Sequence, residues 1–266
     1  MLGQRVITAI VLLAVCLAGL FLAPAPLWAT GVAALFAVGA AEWARLIGRV
    51  PVRGALLAAA VAATCFVVLV DAALPWLALG WGLATLWWLA VAPLQLATGA
   101  RVRASGMAGG WLVLAPSGAA LVWLAADPWQ LLCLLAIPWI ADTGAYFAGR
   151  AFGRRRLAPS ISPGKTVEGA IGGAIAVALY VALLQGFLIG KGHPLAGTGG
   201  WLLAITLLAL SIVGDLYESL AKRQAGVKDS GTLLPGHGGV LDRIDALTST
   251  LPVAALAVYI QAHSAT

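Results

Sequence analysis

Asp215, Glu218, Ser219 and Lys222 recur at i, i+3, i+4 and i+7, the spacing of one stripe on a helix. Arg223 ends the stripe; after a break at Gly226 come Lys228, Asp229 and Ser230. Next is Pro235-Gly236-His237-Gly238-Gly239, a loop whose glycines let backbone approach a ligand closely and turn N–H groups toward phosphate. Beyond it Asp242 and Asp245, with Arg243 between them, share one face of a following helix. Clustered carboxylates suit a hard cation such as Mg2+, which binds through one or two of them plus substrate phosphates. Neighbouring Lys and Arg would neutralise the other phosphate oxygens, and two metals could clamp an in-line displacement. Such a set suits a nucleoside triphosphate at a membrane surface. No Cys/His grouping suggests zinc, and no Ser/His/Asp order suggests acyl transfer. His237 fits a phosphate contact or a loop organiser better than a general base.

Two earlier segments add to this set. Asp142 lies in an otherwise apolar stretch, where a carboxylate must face a partner or a wet cavity. A structural pair with Arg150 is the plain alternative. Ala145, Gly149 and, roughly, Tyr146 share its helix face, and small side chains there would let a ligand approach. The second segment, Ser162 to Glu168, contains Gly164-Lys165-Thr166 and so looks superficially like a phosphate loop. Pro159 stands where that loop needs its first glycine, and no strand is expected before it. A proline-bounded turn running into a helix start is expected instead, with Lys165 and Thr166 near N–H groups that favour anions. Glu168, in the first turn, suits the helix dipole.

The elements that must position these residues are membrane helices. Mean hydropathy is +0.98, and about 20 apolar residues cross the hydrocarbon core as a helix. Nine spans are expected, about 6–22, 27–47, 54–70, 74–92, 107–125, 129–147, 167–189, 201–217 and 241–260, with the partition of 54–92 least defined. Backbone in lipid must satisfy itself, so the fold class is all-α and polytopic. With Arg5 inside, alternation places every one of the 16 Lys and Arg except Lys191 on the same side. That is the pattern of a bacterial-type cytoplasmic membrane protein with its N-terminus and polar site on the cytoplasmic side. The net charge of +6 reflects this topology, not a nucleic-acid partner.

The opening residues are expected to stay as an uncleaved first helix, and Cys16, Cys65 and Cys133 to be inert buried thiols. Glu42 is expected to make a local interface pair with Arg45, and the tryptophans at 76, 81, 87, 88, 111, 123, 129 and 139 an aromatic belt. Residues 1–106 thus form a packing region of membrane helices, and residues 107–266 a catalytic membrane region.

The run Ser219-x-x-Lys222-Arg223-x4-Lys228-Asp229-x-Gly231-x2-Leu234-Pro235-Gly236-His237-Gly238-Gly239-x-x-Asp242-Arg243-x-Asp245 resembles the signature of the phosphatidate cytidylyltransferase (CDP-diacylglycerol synthase) family. Ala141-Asp142-Thr143-x-Ala145-Tyr146-x-x-Gly149-Arg150 and Ser162-Pro-x-Lys165-Thr166-x-Glu168-Gly169 resemble its other recurring blocks. Gly164 and Ala246 depart from the pattern; neither position is acidic in the family. The resemblance implies transfer of CMP from CTP to phosphatidic acid, giving CDP-diacylglycerol and pyrophosphate in phospholipid biosynthesis. It also implies Mg2+, a monovalent cation such as K+, and a homodimer in the lipid bilayer. Carried onto this chain, Asp215 and Asp242 become the metal carboxylates, with Asp142 and Asp245 as outer ligands or organisers. Lys165, Lys222, Arg223, Lys228 and Arg243 would meet phosphates; Ser162, Thr166, Tyr146, Asp229 and the loop Gly236, His237, Gly238 and Gly239 would complete the site. The alternatives are a CTP-dependent lipid or polyprenol kinase and a membrane transporter.

Overall fold

The computed structural model describes residues 2–48, 51–188, 190, 192–233 and 238–264, which form a helical bundle. Helices α1 (Leu2–Leu22), α2 (Ala25–Leu46) and α3 (Pro51–Val67) are followed by a long span made of α4 (Leu74–Leu86), one π turn (Trp87–Val91) and α5 (Ala92–Thr98). Pro93 has no N–H for the helical ladder, and the chain widens into the π turn just before it. Then come α6 (Gly106–Leu124), α7 (Pro128–Phe152), α8 (Val167–Leu188), α9 (Gly197–Gln224) and α10 (Leu241–Ser264).

Among the described residues seven helices are long and apolar enough to cross a membrane, together with two shorter apolar helices, Leu13–Leu22 and Pro51–Val67. Seven of the nine expected spans are thus long and apolar enough among the described residues, and the other two expected spans fall on the shorter helices. At 1.5 Å per residue α3 reaches only about 26 Å, short of a ~30 Å core. The loosely placed boundary within 54–92 resolves into one continuous span, Leu74–Thr98.

The central helix is α6. Small residues let its neighbours close on it: a Cβ at Gly118 would meet Cys65 Sγ at 2.7 Å and Phe36 Cγ at 3.2 Å, and one at Gly110 would run into Trp43. Ser117 Oγ donates to Thr248 O at 2.8 Å, tying α6 to α10. The expected aromatic belt holds only in part. Trp76 and Trp129 are exposed, whereas Trp81 and Trp88 are buried, and Trp81 Nε1 donates to Pro116 O at 3.1 Å. An indole whose N–H finds a carbonyl inside the bundle can serve as core as well as interface anchor. Lipid-facing surface is clearest on α8, where exposed Ile171, Ile175, Leu179, Leu183 and Phe187 recur every four residues.

The pair α7–α8 carries the site's first wall. A Cβ at Gly144 would sit 3.0 Å from Gly172 O, one at Gly169 2.9 Å from Ala145 O, and one at Gly173 2.7 Å from Ala141 O. The two backbones are thus in direct contact along that face. The connection between them is not the plain turn expected from sequence: β1 (Arg156–Ala158) pairs antiparallel with β2 (Ser162–Thr166), Arg156 opposite Thr166 and Ala158 opposite Ser162. Thr166 Oγ1 accepts from Gly169 N at 3.1 Å and caps α8. Glu168 accepts from Arg154 N at 3.0 Å and Arg155 N at 3.1 Å, clamping the entry of the hairpin onto the same helix end.

The polar ends of α2, α5, α7 and α9, the hairpin and the start of α10 gather at one end of the bundle. Gln224 accepts from Val102 N at 2.8 Å and donates to Ala100 O at 3.0 Å; Arg223 Nε donates to Ile161 O at 3.3 Å. Most of the charge lies at this end, unlike the midplane sites of transporters, with Asp142 near the middle of α7 as the exception.

Candidate active site

The described site has two parts joined through α9. The first is a cleft of about 690 Å³ between α7, the hairpin and α9, lined among others by Asp142, Tyr146, Arg150, Arg156, Lys165 and Asp215. Helical spacing on α7 turns Asp142, Ala145, Tyr146, Gly149 and Arg150 toward it, as their shared face predicts. Asp142 is exposed and lies within electrostatic range of Asp215 and Lys165. The structural Asp142–Arg150 pair does not form; Arg150 Nη1 donates to Tyr146 Oη at 3.0 Å instead. Lys165, on β2, forms an ion pair with Asp215 across the cleft. Ser162 pairs with Ala158 at the far end of the hairpin and is not a lining residue, whereas Thr166 is largely buried in the cleft wall, with its hydroxyl capping α8.

The second part is closed. Lys222 Nζ lies 3.2 Å from Glu218 Oε1 and 2.6 Å from Asp242 Oδ1, with all three side chains at most 14% exposed. Asp242 Oδ2 accepts from Ser230 N at 2.9 Å and Gly239 N at 2.8 Å, and the Ser230 hydroxyl, whose single proton is shared between Asp242 and Glu42, stands 3.0 Å away. Gly238 has φ +81, and a Cβ there would sit 2.7 Å from Asp242 Oδ2. These glycines therefore let backbone wrap around a carboxylate, and the Gly239 N–H expected to meet phosphate is engaged by Asp242. Asp245 is placed beside Glu218 and within range of Asp215. Gly214 brings α9 that close to α10, since a Cβ there would meet Asp245 O at 2.7 Å.

Of the remaining expected residues, Arg223 fastens α9 to the hairpin, and Lys228, Asp229 and Arg243 are exposed outside the cleft lining. Gly236 and His237 lie outside the described residues. Sequence reasoning missed two members. Glu42 does approach Arg45, at 3.9 Å, but its main partners are distant: Ser230 Oγ at 2.9 Å, Leu241 N at 2.8 Å and Val240 N at 3.2 Å. Ser230 bridges Glu42 and Asp242. The available signal was a lone carboxylate at the polar end of an apolar helix, the feature that drew attention to Asp142.

Carboxylates gathered against a few ammonium groups at the end of a membrane bundle, beside a cleft with further cations, define a membrane enzyme that handles phosphates. A model of the cytidylyltransferase family matches residues 3–261, and the chain belongs to that family. A phosphatidate cytidylyltransferase of Pseudomonas aeruginosa is 43% identical over 271 residues, covering 95% of each chain. One from Haemophilus influenzae is 51% identical over 134 residues, 47% of this chain and 46% of its own. One from Brucella suis is 52% identical over 122 residues, 45% of this chain and 43% of its own.

Proposed function

We propose that this protein transfers CMP from CTP to phosphatidate, releasing pyrophosphate and leaving CDP-diacylglycerol in the bilayer. The observation that supports this most is the cleft itself. Helix α7, the hairpin that follows it and the more distant α9 bring Asp142, Arg150, Arg156, Lys165 and Asp215 to one opening beside a membrane helix pair. Such a place suits one water-soluble and one lipid substrate. A phosphate oxygen of phosphatidate already carries charge, so no strong base is needed to make it a nucleophile. It would bond to the α-phosphorus of CTP while the bond from that phosphorus to the bridging oxygen breaks, and pyrophosphate leaves with the electron pair. Arg150, Arg156 and Lys165 would hold the two phosphates in line and balance the charge that builds on the leaving group.

The donor set suits Mg2+. Asp215 would supply hard carboxylate oxygens in the cleft and Asp242 on exchange of a present partner, and each already holds a cation, the ammonium of Lys165 or of Lys222. No three Asp, Glu, His or Cys side chains among the described residues form a cage, so part of the shell would come from substrate phosphates and water. The metal, when bound, supplies charge neutralisation at the triphosphate. Asp142 and Asp245 are proposed as outer organisers, and a K+ ion as the monovalent partner of the same carboxylate group. A cytoplasm-facing site in the inner membrane is supported by the one-sided placement of Lys and Arg. A homodimer completes the reading, and light scattering in detergent tests it.

Purified protein supplied with phosphatidate, α-labelled CTP and Mg2+ should place label in the lipid phase with an equal amount of pyrophosphate. Chelation of Mg2+ should abolish both, and the Asp215→Asn substitution should lower both by about 10²–10³-fold. Intact CTP with monodisperse wild-type protein would contradict the reading.

A further inference from the structure

We propose that Glu42, on α2 and outside the motif-bearing part of the chain, is a positioning residue that holds the loop before α10 and, through it, Asp242. The residue is 0% exposed, and its carboxylate meets three hydrogen-bond donors and one more distant guanidinium. Oε2 accepts from Leu241 N at 2.8 Å and Ser230 Oγ at 2.9 Å; Oε1 accepts from Val240 N at 3.2 Å and faces Arg45 Nη2 at 3.9 Å. Val240 and Leu241 provide the first N–H groups of α10, donors that no earlier turn of that helix can satisfy. A carboxylate placed there completes the helix start and opposes its dipole. Glu42 therefore caps α10 from a helix about 200 positions earlier in the chain.

The loop is shaped to fit this carboxylate. A Cβ at Gly239 would sit 2.6 Å from Glu42 Oε1, and a Cβ at Gly231 would also collide with Oε1. Two glycines of the motif are thus explained by Glu42 and not by a ligand. Ser230 makes the link to the site, its hydroxyl standing 2.9 Å from Glu42 Oε2 and 3.0 Å from Asp242 Oδ2. From Asp242 the path continues through Lys222 to Glu218 on α9, the helix that presents Asp215 to the cleft. Glu42 is not a lining residue of that cleft, so its effect should fall on the geometry of the reacting groups and not on lipid binding.

This rests on the proposed cytidylyl transfer, and two readouts keep the ideas separable. Full-length wild type, Glu42→Gln, Ser230→Ala and the double variant would be compared in mixed micelles, with hydrogen exchange followed in peptides covering the loop and α7. Glutamine keeps the length but turns an NH2 toward a backbone donor. Glu42→Gln should lower kcat about 10- to 100-fold, leave KM for phosphatidate within about twofold, and speed exchange at Val240 and Leu241 but not in α7. Adding Ser230→Ala to it should cost less than about twofold more, because both act through one path. Should Glu42→Gln fail to give monodisperse protein, Ser230→Ala alone carries the test with the same expected pattern. Unchanged kcat and unchanged loop exchange would overturn the proposal, as would a loss confined to the yield of folded protein with normal kinetics per molecule. If the wild type transferred no CMP, the proposed activity would fail while the exchange readout still decided the link between Glu42 and the loop.

Discussion

The cleft and the closed cluster beside it use the same residue types in opposite ways. In the cleft, Asp142 and Arg150 are exposed, and Lys165 and Asp215 keep 25% and 27% of their side chains exposed despite their ion pair. In the cluster, Asp242 is 5% exposed and both oxygens are engaged by Lys222, Ser230 and Gly239. An open charge is available to a substrate at little folding cost. An enclosed one supports the structure and can act on a substrate only by exchanging a partner. Within one site, then, binding groups and geometry-setting groups divide along α9.

Four substitutions test that division. Asp215→Asn should lower kcat for cytidylyl transfer by about 10²–10³-fold with no change in melting temperature, since the carboxylate lies in an open cleft. Asp242→Asn should lower kcat by about 10²-fold and also lower the melting temperature in detergent, because breaking an enclosed ion pair costs ~3–5 kcal/mol. Equal melting temperatures for the two variants would erase the distinction. Arg150→Ala should raise KM for phosphatidate about tenfold, ~1.4 kcal/mol, with kcat nearly kept, as steady-state kinetics would show. Thr166→Val keeps the shape of the cleft wall but removes the α8 cap, about 1 kcal/mol, and should shift a thermal melt by a few degrees while activity stays within about twofold.

Much of the site was legible because its residues keep helical spacing. Asp142, Ala145, Tyr146 and Gly149 share a face by count alone, and the structure places all four on the cleft. Asp215, Glu218 and Lys222 follow the same rule, although Asp215 turns to the cleft while Glu218 and Lys222 turn to Asp242. A stripe shows which residues share a face but not which neighbour that face meets. The hairpin was not legible. Pro159 and Pro163 flank a stretch that reads as a turn, and strands of three and five residues are too short to leave an alternating pattern. Glu42 was read through Arg45, its nearest charge in sequence, whereas its principal donors lie 188–199 positions away. Long-range partners of a lone carboxylate leave no periodic trace.

The central claim is that the triphosphate is cut between its α- and β-phosphates with the nucleotide passing to lipid. CTP labelled at the α-phosphate and, in parallel, at the γ-phosphate tests it most directly in one purified preparation with phosphatidate and Mg2+. The account predicts α-label in the lipid phase, γ-label in pyrophosphate, and neither in the other fraction. Label from the γ-phosphate in lipid, with CDP left in solution, would contradict it and make the protein a lipid kinase.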